Sequence, residues 1–387
     1  MIKVALTGWA GLLGYHIRAA LFSENCANEF KSKNARYEII LLPRLEPDNV
    51  EKLAALIKDV DLIIHLAGIN RASEHEVEFG NQKLATILTD ALRKSRNAPF
   101  LIYSNSVHAG TGTPYGRGKA GADKIFSQWA SESSSRYLNL LLPHVFGEGG
   151  RAFYNSVTST FCQQLVDGKE PTISGKGEVE LLHAGAVADI VVSAIDSNIS
   201  GAVRPEGKPI SVQSLYEKLK DFKTNYNKNE LPDLTDSTDL ALFNTYRSFE
   251  FPRYYPQPLQ LNKDSRGVLF EAVKGGGGGQ TFLSWTEPGI ERGNHFHRNK
   301  VERFLVVSGK AEIRIRALWD DVVHAFSVSG DSPESIDIPT LHTHSIKNIG
   351  SEPLLTLFWA HEIFNPDHPD TYAHKVEINK NTIISYA

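Results

Sequence analysis

The stretch Ala5–Gly14, ALTGWAGLLG, ends an apolar run near the start of the chain and holds three glycines. Gly8, Gly11 and Gly14 have the spacing of a tight turn between a β-strand and an α-helix. Glycines at such a turn let backbone N–H groups approach a pyrophosphate that lies on the helix N-terminus. Because three glycines alone are a weak signal, their meaning depends on the elements that follow.

Short apolar runs alternate with longer stretches of helical character through the first half of the chain. The runs read IKVALTG, YEIILLP, DLIIHLAG, FLIYSNS and YLNLLLPH. This alternation is typical of βαβ units, and it predicts an α/β fold with a Rossmann-type, doubly wound parallel sheet.

The composition and the residue pattern of the sequence change after about residue 245. Pro252, Pro256 and Pro258 disfavour helix there. The later runs, TFLSW, RFLVVSG, AEIRIRAL, HAFSVSG, SIDIP and LLTLFWA, are short and β-rich, as expected of an all-β barrel or sandwich. A chain of 387 residues is also long for one core. We therefore predict two domains, 1–247 and 248–387.

The composition excludes some classes of partner. The net charge of −4 gives no general attraction for nucleic acid or an anionic membrane. Every apolar run is shorter than the roughly 18 residues that a membrane span needs, so a cytoplasmic protein with neither kind of partner is expected. Cys26 and Cys162 cannot form a disulfide framework or a zinc ribbon, and we expect plain thiols.

Tyr115 and Lys119 are four residues apart in PYGRGK, and on a helix they share one face. An ammonium one turn from a phenol favours the phenolate and can orient a nicotinamide ribose, while the phenol exchanges a proton with a sugar carbonyl. A hydroxyl in the SNS stretch can hold the same oxygen. The alternative is an exposed pair of helix residues with no role in catalysis.

These features together resemble the extended short-chain dehydrogenase/reductases. The resemblance rests on the loop that begins at Thr7, on the Tyr115/Lys119 pair, and on Ser106 in the place of the family's catalytic hydroxyl. It implies that Ser106, Tyr115 and Lys119 are catalytic. It also implies a dinucleotide site at Thr7, Gly8, Gly11, Leu12, Leu13, Gly14, Leu66, Ala67, Gly68 and Lys119.

The choice between NADH and NADPH depends on the end of the second predicted strand. That strand, YEIILLPR, ends in Arg44 rather than in an acidic residue that would bind a ribose 2′-hydroxyl. An arginine suits a 2′-phosphate, so NADPH is predicted. The preceding stretch is longer than usual, and a solvated surface arginine is the alternative.

A second group of residues has the spacing of metal ligands. His295 and His297 are two residues apart, so on a strand both side chains point to one face, and Glu302 follows closely. His344 adds an imidazole from a separate strand. Three imidazoles and a carboxylate suit a zinc-like divalent ion. The alternative is a set of histidines that only form hydrogen bonds in a core.

The stretches GNHFHRNKVERF and IPTLHTHSIKN resemble the two motifs of the cupin family. The first is complete from Gly289 to Gly309, and the second matches at Pro339, His344 and Asn348. Leu341 stands where that motif usually has glycine. The resemblance implies an all-β cupin barrel that holds zinc, the expected ion, through His295, His297, Glu302 and His344, with His342 outside this set.

One more fragment, LNKDSRGVLFEAV, looks like the opening of the cupin-fold nucleotide-sugar 3,5-epimerases, or else is a simple turn and edge strand. The chain as a whole resembles the CapF-type bifunctional epimerase/reductases of capsular polysaccharide synthesis. The resemblance rests on the order of the two halves and on the stretches YNSVTSTFC, ERFLVVSGK and FNPDHPDTY. That resemblance implies that the cupin epimerises C3 of a UDP-4-keto-6-deoxy-N-acetylhexosamine. The first domain would then reduce the C4 ketone with NADPH to UDP-N-acetyl-6-deoxy-L-talosamine.

Two other functions stay open. The chain is alternatively a single-activity NADPH-dependent nucleotide-sugar reductase whose cupin serves binding or dimerisation. A metal-dependent dioxygenase or isomerase cupin is the third possibility, because the same ligand set suits iron. Lys300, His342 and Asp264 are all candidates for an epimerase base. Cupins and extended reductases often pair, so a homodimer is expected.

Overall fold

The computed structural model describes residues 1–173, 177–378 and 382–386. The chain forms two compact units. The first comprises Met1–Thr160 and Ile173–Gln213, and the second comprises Phe161–Thr172 and Ser214–Ala387. These units are divided along a different line from the predicted domains, whose boundary between residues 247 and 248 stays a prediction.

The first unit is built on a parallel sheet. Its strands are β1 (Ile2–Thr7), β2 (Tyr37–Leu41), β3 (Leu62–His65), β4 (Phe100–Ser106), β5 (Tyr137–Leu142), β6 (His144–Phe146), β7 (Glu178–His183), β8 (Gly201–Val203) and β9 (Lys208–Ser211). Within the described residues, six of them pair in the order β2-β1-β3-β4-β5-β8, all parallel. The strand order reverses between β1 and β3, and in such sheets ligands bind at this point, beyond the carboxyl ends of the strands.

Helices cover both faces of this sheet. They are α1 (Leu12–Phe30), α2 (Val50–Ile57), α3 (Glu74–Ser95), α4 (Pro114–Ser133) and α6 (Ala184–Asp196). The boundary between the two units falls within α5 (Val157–Val166). Successive strand residues point to opposite faces. Ala5 and Ile63 therefore join a buried core with α2, α3 and α4, whereas Val4 and Ile64 join a core with α1 and α6. The predicted Rossmann-like parallel sheet is confirmed.

A small sheet extends the first unit beyond Pro143. There β6 pairs with β7 in parallel, and β7 pairs with β9 in the antiparallel sense. The segment 147–156, which follows β6, leads into α5.

The second unit begins with helices and continues as strands. It contains most of α7 (Val212–Tyr226) and all of α8 (Ser237–Glu250). Its strands are β10 (Glu230–Leu231), β11 (Gln257–Pro258), β12 (Asn262–Asp264), β13 (Gly267–Leu269), β14 (Lys274–Gly275), β15 (Gln280–Thr286), β16 (Glu291–Phe296), β17 (Glu302–Ser308), β18 (Lys310–Ala317), β19 (Val322–Ser329), β20 (Glu334–Ile338), β21 (His342–Asn348), β22 (Leu354–Ala360), β23 (Tyr372–Ala373) and β24 (Thr382–Tyr386).

Two larger sheets in this unit share one core. In the described part of the chain, one sheet has the order β11-β20-β17-β22-β15 and the other β23-β16-β21-β18-β19-β24. All pairs are antiparallel except β19 and β24. Alternate residues of both sheets, such as Phe304, Val306, Ile313 and Ile346, are buried together. The six β-rich runs predicted from the sequence all lie in strands, so a sheet-rich second half is confirmed, while a closed cupin barrel stays a prediction.

Both cysteines are free and buried. Burial raises the pKa of the Cys26 thiol to about 12 and raises that of Cys162 further. A thiolate is therefore disfavoured at both positions, as plain thiols require. Among the residues that the structure describes, no helix combines the length and apolar character needed to cross a membrane.

Candidate active site and metal centre

The glycine-rich turn after β1 lies directly against the loop that follows β3. Gly8 has a φ of +65°, and a Cβ there would lie 2.6 Å from the backbone nitrogen of Ala67. A Cβ on Gly14 would lie 2.5 Å from the backbone of Trp9. Both contacts are too short for any side chain, which is why the turn requires glycine at these two positions.

Thr7 fixes the same two loops to each other. Its Oγ1 accepts hydrogen bonds from the backbone N–H groups of Leu66, at 3.1 Å, and Ala67, at 3.2 Å. Oγ1 also lies 2.9 Å from Nδ1 of His65. Burial and the charge of Lys119 lower the pKa of His65 to about 3, so its imidazole is neutral. Nδ1 can then accept a hydrogen bond from the Thr7 hydroxyl.

The first turn of α1 is open to an anion. Its N-cap, Gly11, is extended, no side chain of the described residues caps it, and the first turn contains no acidic residue. The first N–H groups of a helix have no partner within the helix and carry its positive dipole end. The N–H groups of Leu12 and Leu13 therefore suit the predicted contact with a phosphate, which stays a prediction.

Tyr115, Lys119 and Ser106 come together at the carboxyl end of β4. Tyr115 is the second residue of α4, and Nζ of Lys119, one turn later, lies 6.0 Å from the centre of its ring. Nζ donates a 2.7 Å hydrogen bond to the carbonyl of Ser104, and Lys119 is only 5% exposed. The alternative of an exposed helix pair is therefore wrong for Lys119.

The surroundings tune both titratable groups. Burial lowers the pKa of Lys119 from 10.5 to about 8. Burial raises the pKa of Tyr115, and a hydrogen bond with Ser106 opposes that rise. A Cβ on Gly68 would lie 3.7 Å from Nζ of Lys119, so the β3 loop and the lysine meet at the same edge of the sheet. The predicted proton donor thus lies at the same edge of the sheet as the predicted dinucleotide loop.

Arg44 lies three residues beyond β2, the strand next to β1. Its side chain is 88% exposed, and Nε lies 3.7 Å from a carboxylate oxygen of Glu46. An exposed pair of this kind contributes little. The position suits contact with an adenosine ribose, but the preference for NADPH stays a prediction.

The structure brings together all four predicted metal ligands. The ligand atoms that His295, His297, Glu302 and His344 offer lie within 4.8 Å of one another. Nε2 of His297 lies 2.8 Å from Oε2 of Glu302, and Nε2 of His344 lies 3.7 Å from the same oxygen. Both large sheets contribute, because Glu302 opens β17 while His295 and His344 lie in β16 and β21.

Local backbone features direct these side chains inward. His295 is paired with His344 across β16 and β21, and the register shifts between Gly293 and His295. Such a bulge re-aims the side chain that follows it. Leu341 has a φ of 60°, and its N–H donates a 2.8 Å hydrogen bond to the carbonyl of His297. The departure from glycine noted in the sequence thus falls at a left-handed position.

Each imidazole of this cluster is held from behind by a backbone carbonyl. Nδ1 of His297 donates to the carbonyl of Asp370 at 2.6 Å, and Nδ1 of His344 lies 3.4 Å from the carbonyl of His342. The His295 imidazole also forms a hydrogen bond with the backbone of Gly293. Nδ1 contacts of this kind fix the tautomer and aim Nε2 at a metal. Among the described residues, the buried Nε2 of His344 has no hydrogen-bond partner. This is expected of an atom whose partner is a metal ion.

The protonation states also fit a cation. Burial and the neighbouring imidazoles lower the pKa of His295 to about 2. Burial lowers the pKa of His297, but the Glu302 carboxylate outweighs it and the net shift is upward. Burial raises the pKa of Glu302, but His297 and His344 hold it well below its usual range. The neutral imidazoles of His295 and His344 beside an ionised carboxylate suit a divalent ion of the zinc type, which would take the place of the proton between His297 and Glu302.

Asp370 was not found by sequence reasoning. Its carboxylate accepts hydrogen bonds from the backbone N–H groups of Arg298, Asn299 and Lys300, at 3.0, 2.8 and 2.7 Å. It therefore holds the loop between His297 and Glu302, while its carbonyl orients His297. The only signal in the sequence was its place in the FNPDHPDTY stretch that resembles the family.

Each of the three candidate bases is already engaged by a neighbouring residue. Nζ of Lys300 is buried and donates to the carbonyl of Pro369 at 2.6 Å. His342 packs on Phe251, with ring centres 5.1 Å apart, and is not in the ligand cluster. Asp264 is exposed and paired with Arg266 across the β12–β13 turn.

A second group with metal-ligand chemistry lies in the first unit. His16, Glu148 and His183 offer ligand atoms within 4.8 Å of one another. Nε2 of His183 lies 2.8 Å from Oε2 of Glu148, and Nε2 of His16 lies 2.9 Å from its backbone carbonyl. A carbonyl only accepts, so Nε2 of His16 carries a proton. This group therefore fastens the start of the 147–156 segment to α1 and to the end of β7 rather than presenting lone pairs to a metal.

Comparison with known families decides the class of the first unit. The model of the NAD dependent epimerase/dehydratase family matches residues 4–204, more than half of the chain. The chain belongs to this family. Members of the NAD dependent epimerase/dehydratase family bind a nicotinamide cofactor, in agreement with the glycine-rich turn and the Tyr115/Lys119 pair. A second model, the polysaccharide biosynthesis C-terminal domain, matches residues 262–372.

Individual relatives extend over both halves. The chain is 30% identical over 380 residues to the UDP-2-acetamido-2,6-beta-L-arabino-hexul-4-ose reductase of Pseudomonas aeruginosa, covering 97% of this chain and 99% of that one. Among solved structures it resembles the capsular polysaccharide assembling protein CapF of Staphylococcus aureus, with 29% identity and a TM-score of 0.59. That match covers 97% of this chain and 100% of the other.

A more distant structural relative shows the fold of the first part alone. The UDP-N-acetylglucosamine 4-epimerase of Bacillus cereus is 19% identical, with a TM-score of 0.50, and covers 58% of this chain and 83% of its own. The catalytic, cofactor and metal roles of the residues above stay predictions, although the structure places each set together.

Proposed function

We propose that the chain is a bifunctional nucleotide-sugar enzyme of surface polysaccharide synthesis. One half, a cupin barrel, epimerises C3 of a UDP-4-keto-6-deoxy-N-acetylhexosamine. The other half, an NADPH-dependent reductase, converts the C4 ketone to an alcohol and yields UDP-N-acetyl-6-deoxy-L-talosamine. The observation that carries the proposal is that the chain gathers the Ser106/Tyr115/Lys119 group and the His295/His297/Glu302/His344 group. It is supported by a relative that matches both halves, the Pseudomonas aeruginosa reductase, at 30% identity over 380 residues.

The reductase half works through Tyr115, Ser106 and Lys119. A bound nicotinamide supplies the hydride that reduces the carbonyl carbon. Tyr115 gives its phenolic proton to the ketone oxygen, while the Ser106 hydroxyl, which already bonds the phenol, holds that oxygen in place. The Lys119 ammonium favours the phenolate that remains and is itself fixed by the Ser104 carbonyl at 2.7 Å.

The epimerase half uses the acidity of C3 next to a ketone. A base removes the C3 proton from one face, and a proton returns from the other, so no oxidant or reductant is consumed. His295, His297, Glu302 and His344 would hold a divalent ion, with zinc expected, and that ion would supply Lewis acidity. The orphaned Nε2 of His344 and the carbonyls behind each imidazole support a cation at this place. The base remains unassigned.

The order of the two reactions, epimerisation and then reduction, explains why both activities would be joined in one chain. The inverted centre at C3 stays labile while the ketone is present, because the C3 proton remains acidic. Once the ketone becomes an alcohol, that acidity is lost and the configuration is trapped. We infer a cytoplasmic homodimer with NADPH as the cofactor and no nucleic acid or membrane partner.

A single-activity reductase is the alternative that a specific observation favours. The Pseudomonas aeruginosa relative is named for a reductase activity alone. In that case the second half is a binding or dimerisation module. A cupin dioxygenase or isomerase would instead carry iron and consume oxygen or another substrate.

The proposal is tested by incubating the full chain with UDP-4-keto-6-deoxy-N-acetylhexosamine and either NADPH or NADH. We expect oxidation of NADPH with formation of an alcohol at C4, and at least a thousandfold loss of kcat in the Tyr115→Phe variant with unchanged NADPH affinity. Absence of reduction by the wild-type chain with either cofactor would refute the reductase assignment.

A further inference from the structure

Two arginines and a tyrosine form an exposed basic group beside the reductase site. Arg71 lies in the loop after β3, and Arg151 and Tyr154 lie in the 147–156 segment after β6. The guanidinium carbon of Arg71 lies 5.9 Å from the centre of the Tyr154 ring, and that of Arg151 lies 5.6 Å from it. Both distances are within the range of cation–π contact.

These positive charges have no acidic partner. Neither guanidinium forms an ion pair with a carboxylate of the described residues, although exposed arginines elsewhere, such as Arg93 and Arg117, do. Nη1 of Arg71 donates to the carbonyl of Phe153 at 2.6 Å, which leaves its other donors free to point outward. Two like charges gathered on one ring without a counterion favour an anion there.

The 147–156 segment, which carries Arg151 and Tyr154, is held in place by contacts with other parts of the first unit. Its first residues are fastened by the buried His16 and Glu148 together with the half-buried His183. Farther along, the N–H of Phe153 donates to Oγ1 of Thr160 at 3.0 Å. Phe153 itself has a φ of 57°, and its carbonyl accepts the hydrogen bond from Arg71. A pre-ordered segment lowers the ordering cost of binding.

The group lies at the same edge of the sheet as the predicted catalytic residues. β3 and β4 run parallel, so the loop that holds Arg71 and the end of β4 at Ser106 emerge on one side. The pyrophosphate of the dinucleotide already has a place on the glycine-rich turn and α1. A second diphosphate, that of a nucleotide sugar, therefore needs a separate set of donors.

We propose that Arg71, Arg151 and Tyr154 bind the nucleoside diphosphate of the sugar substrate. The guanidinium groups offer paired N–H donors that match phosphate oxygens, and the tyrosine ring stiffens both arginines. This assignment rests on the proposed function and deepens it, because it names the residues that recognise the part of the substrate remote from the reacting carbon.

The test is equilibrium binding of UDP to the full chain, with NADPH binding measured in parallel. We expect Arg71→Gln and Arg151→Gln each to weaken UDP binding about tenfold, and Arg151→Lys to recover part of the loss. NADPH affinity should change by less than twofold. In turnover the KM for the keto sugar should rise by a similar factor with kcat nearly constant, the pattern expected when uniform binding is lost.

Arg96→Gln is the matched control. Arg96 is an exposed arginine at the C-terminal end of α3, on the side of the sheet where β4 begins, and we expect unchanged UDP binding. UDP affinity within twofold of wild type in both test variants would overturn the assignment, as would a loss confined to NADPH. If wild-type chain binds UDP and the variants lose it, but no ketone is reduced, the proposed function fails while this assignment stands.

Discussion

Nε2 of His297 lies 2.8 Å from Oε2 of Glu302, while Nδ1 of the same ring donates to the carbonyl of Asp370 at 2.6 Å. Because Nδ1 must carry a proton to donate to a carbonyl, the short contact on the other side needs a second proton or a shared cation. A divalent ion satisfies both groups without protonating the imidazole. The proposed ligand set takes the shared cation as the explanation, whereas a plain hydrogen-bonded core would need the second proton.

The first prediction concerns metal content. His344→Gln removes the imidazole whose Nε2 is orphaned, so zinc content should fall from about one ion per chain to a small fraction. His342→Gln, on the same strand but outside the cluster, should keep its zinc. Elemental analysis after dialysis measures both. Equal zinc in the two variants, or none in the wild-type chain, would contradict the assigned ligands.

The second prediction concerns the left-handed Leu341. This conformation costs a residue with a Cβ about 1 kcal/mol, and glycine is free of that cost. Leu341→Ala and Leu341→Gly both lose the buried side chain, but only the second relieves the backbone. We therefore expect Leu341→Gly to be more stable than Leu341→Ala by about 1 kcal/mol in urea unfolding.

Ile346, buried in the regular part of β21, provides the matched pair. There alanine should be more stable than glycine, which is the ordinary order. If alanine is also the more stable residue at position 341, the backbone argument is wrong.

The third prediction follows from the buried Lys119. Burial lowers its folded-state pKa from 10.5 to about 8. Between these two values the unfolded chain holds the proton and the folded chain does not. The free energy of unfolding should therefore rise with pH, by about 1.4 kcal/mol per unit above pH 8, relative to a chain without this amine.

Lys119→Met supplies that reference, and Lys124→Met, an exposed lysine of the same helix, supplies the control. Denaturant unfolding of all three chains from pH 7 to 9.5 gives the comparison. Wild-type stability should gain on Lys119→Met as the pH rises and should stay parallel to Lys124→Met. Parallel curves for all three would show that Lys119 titrates normally.

Patterns with short spacing predicted much of this molecule. Tyr115 and Lys119 lie in one helix, whose geometry fixes which side chains meet. The Gly8–Gly14 turn and the His295/His297 pair, which spans the end of β16, are also close in sequence. The sheet-rich second half was likewise visible from its short β-rich runs.

Contacts between distant segments were not predictable in this way. Asp370 reaches the loop at Arg298 because the chain returns there next to β23, which pairs with β16. The sequence around Asp370 does not indicate that its carboxylate accepts hydrogen bonds from three N–H groups. Arg71 and Arg151 are eighty positions apart and are ordinary surface residues until Tyr154 brings them together. The compact units also interleave, with 161–172 in the second unit, an arrangement that a single composition change cannot reveal.

The central claim is that one chain epimerises and then reduces the same sugar. The most direct measurement is deuterium incorporation at C3 of UDP-4-keto-6-deoxy-N-acetylhexosamine in deuterated water without NADPH. We predict rapid incorporation by the wild-type chain and by Tyr115→Phe, and a loss of at least a hundredfold in the His295→Gln/His297→Gln variant. No incorporation by the wild-type chain, together with normal NADPH-dependent reduction, would contradict the claim and leave a single-activity reductase.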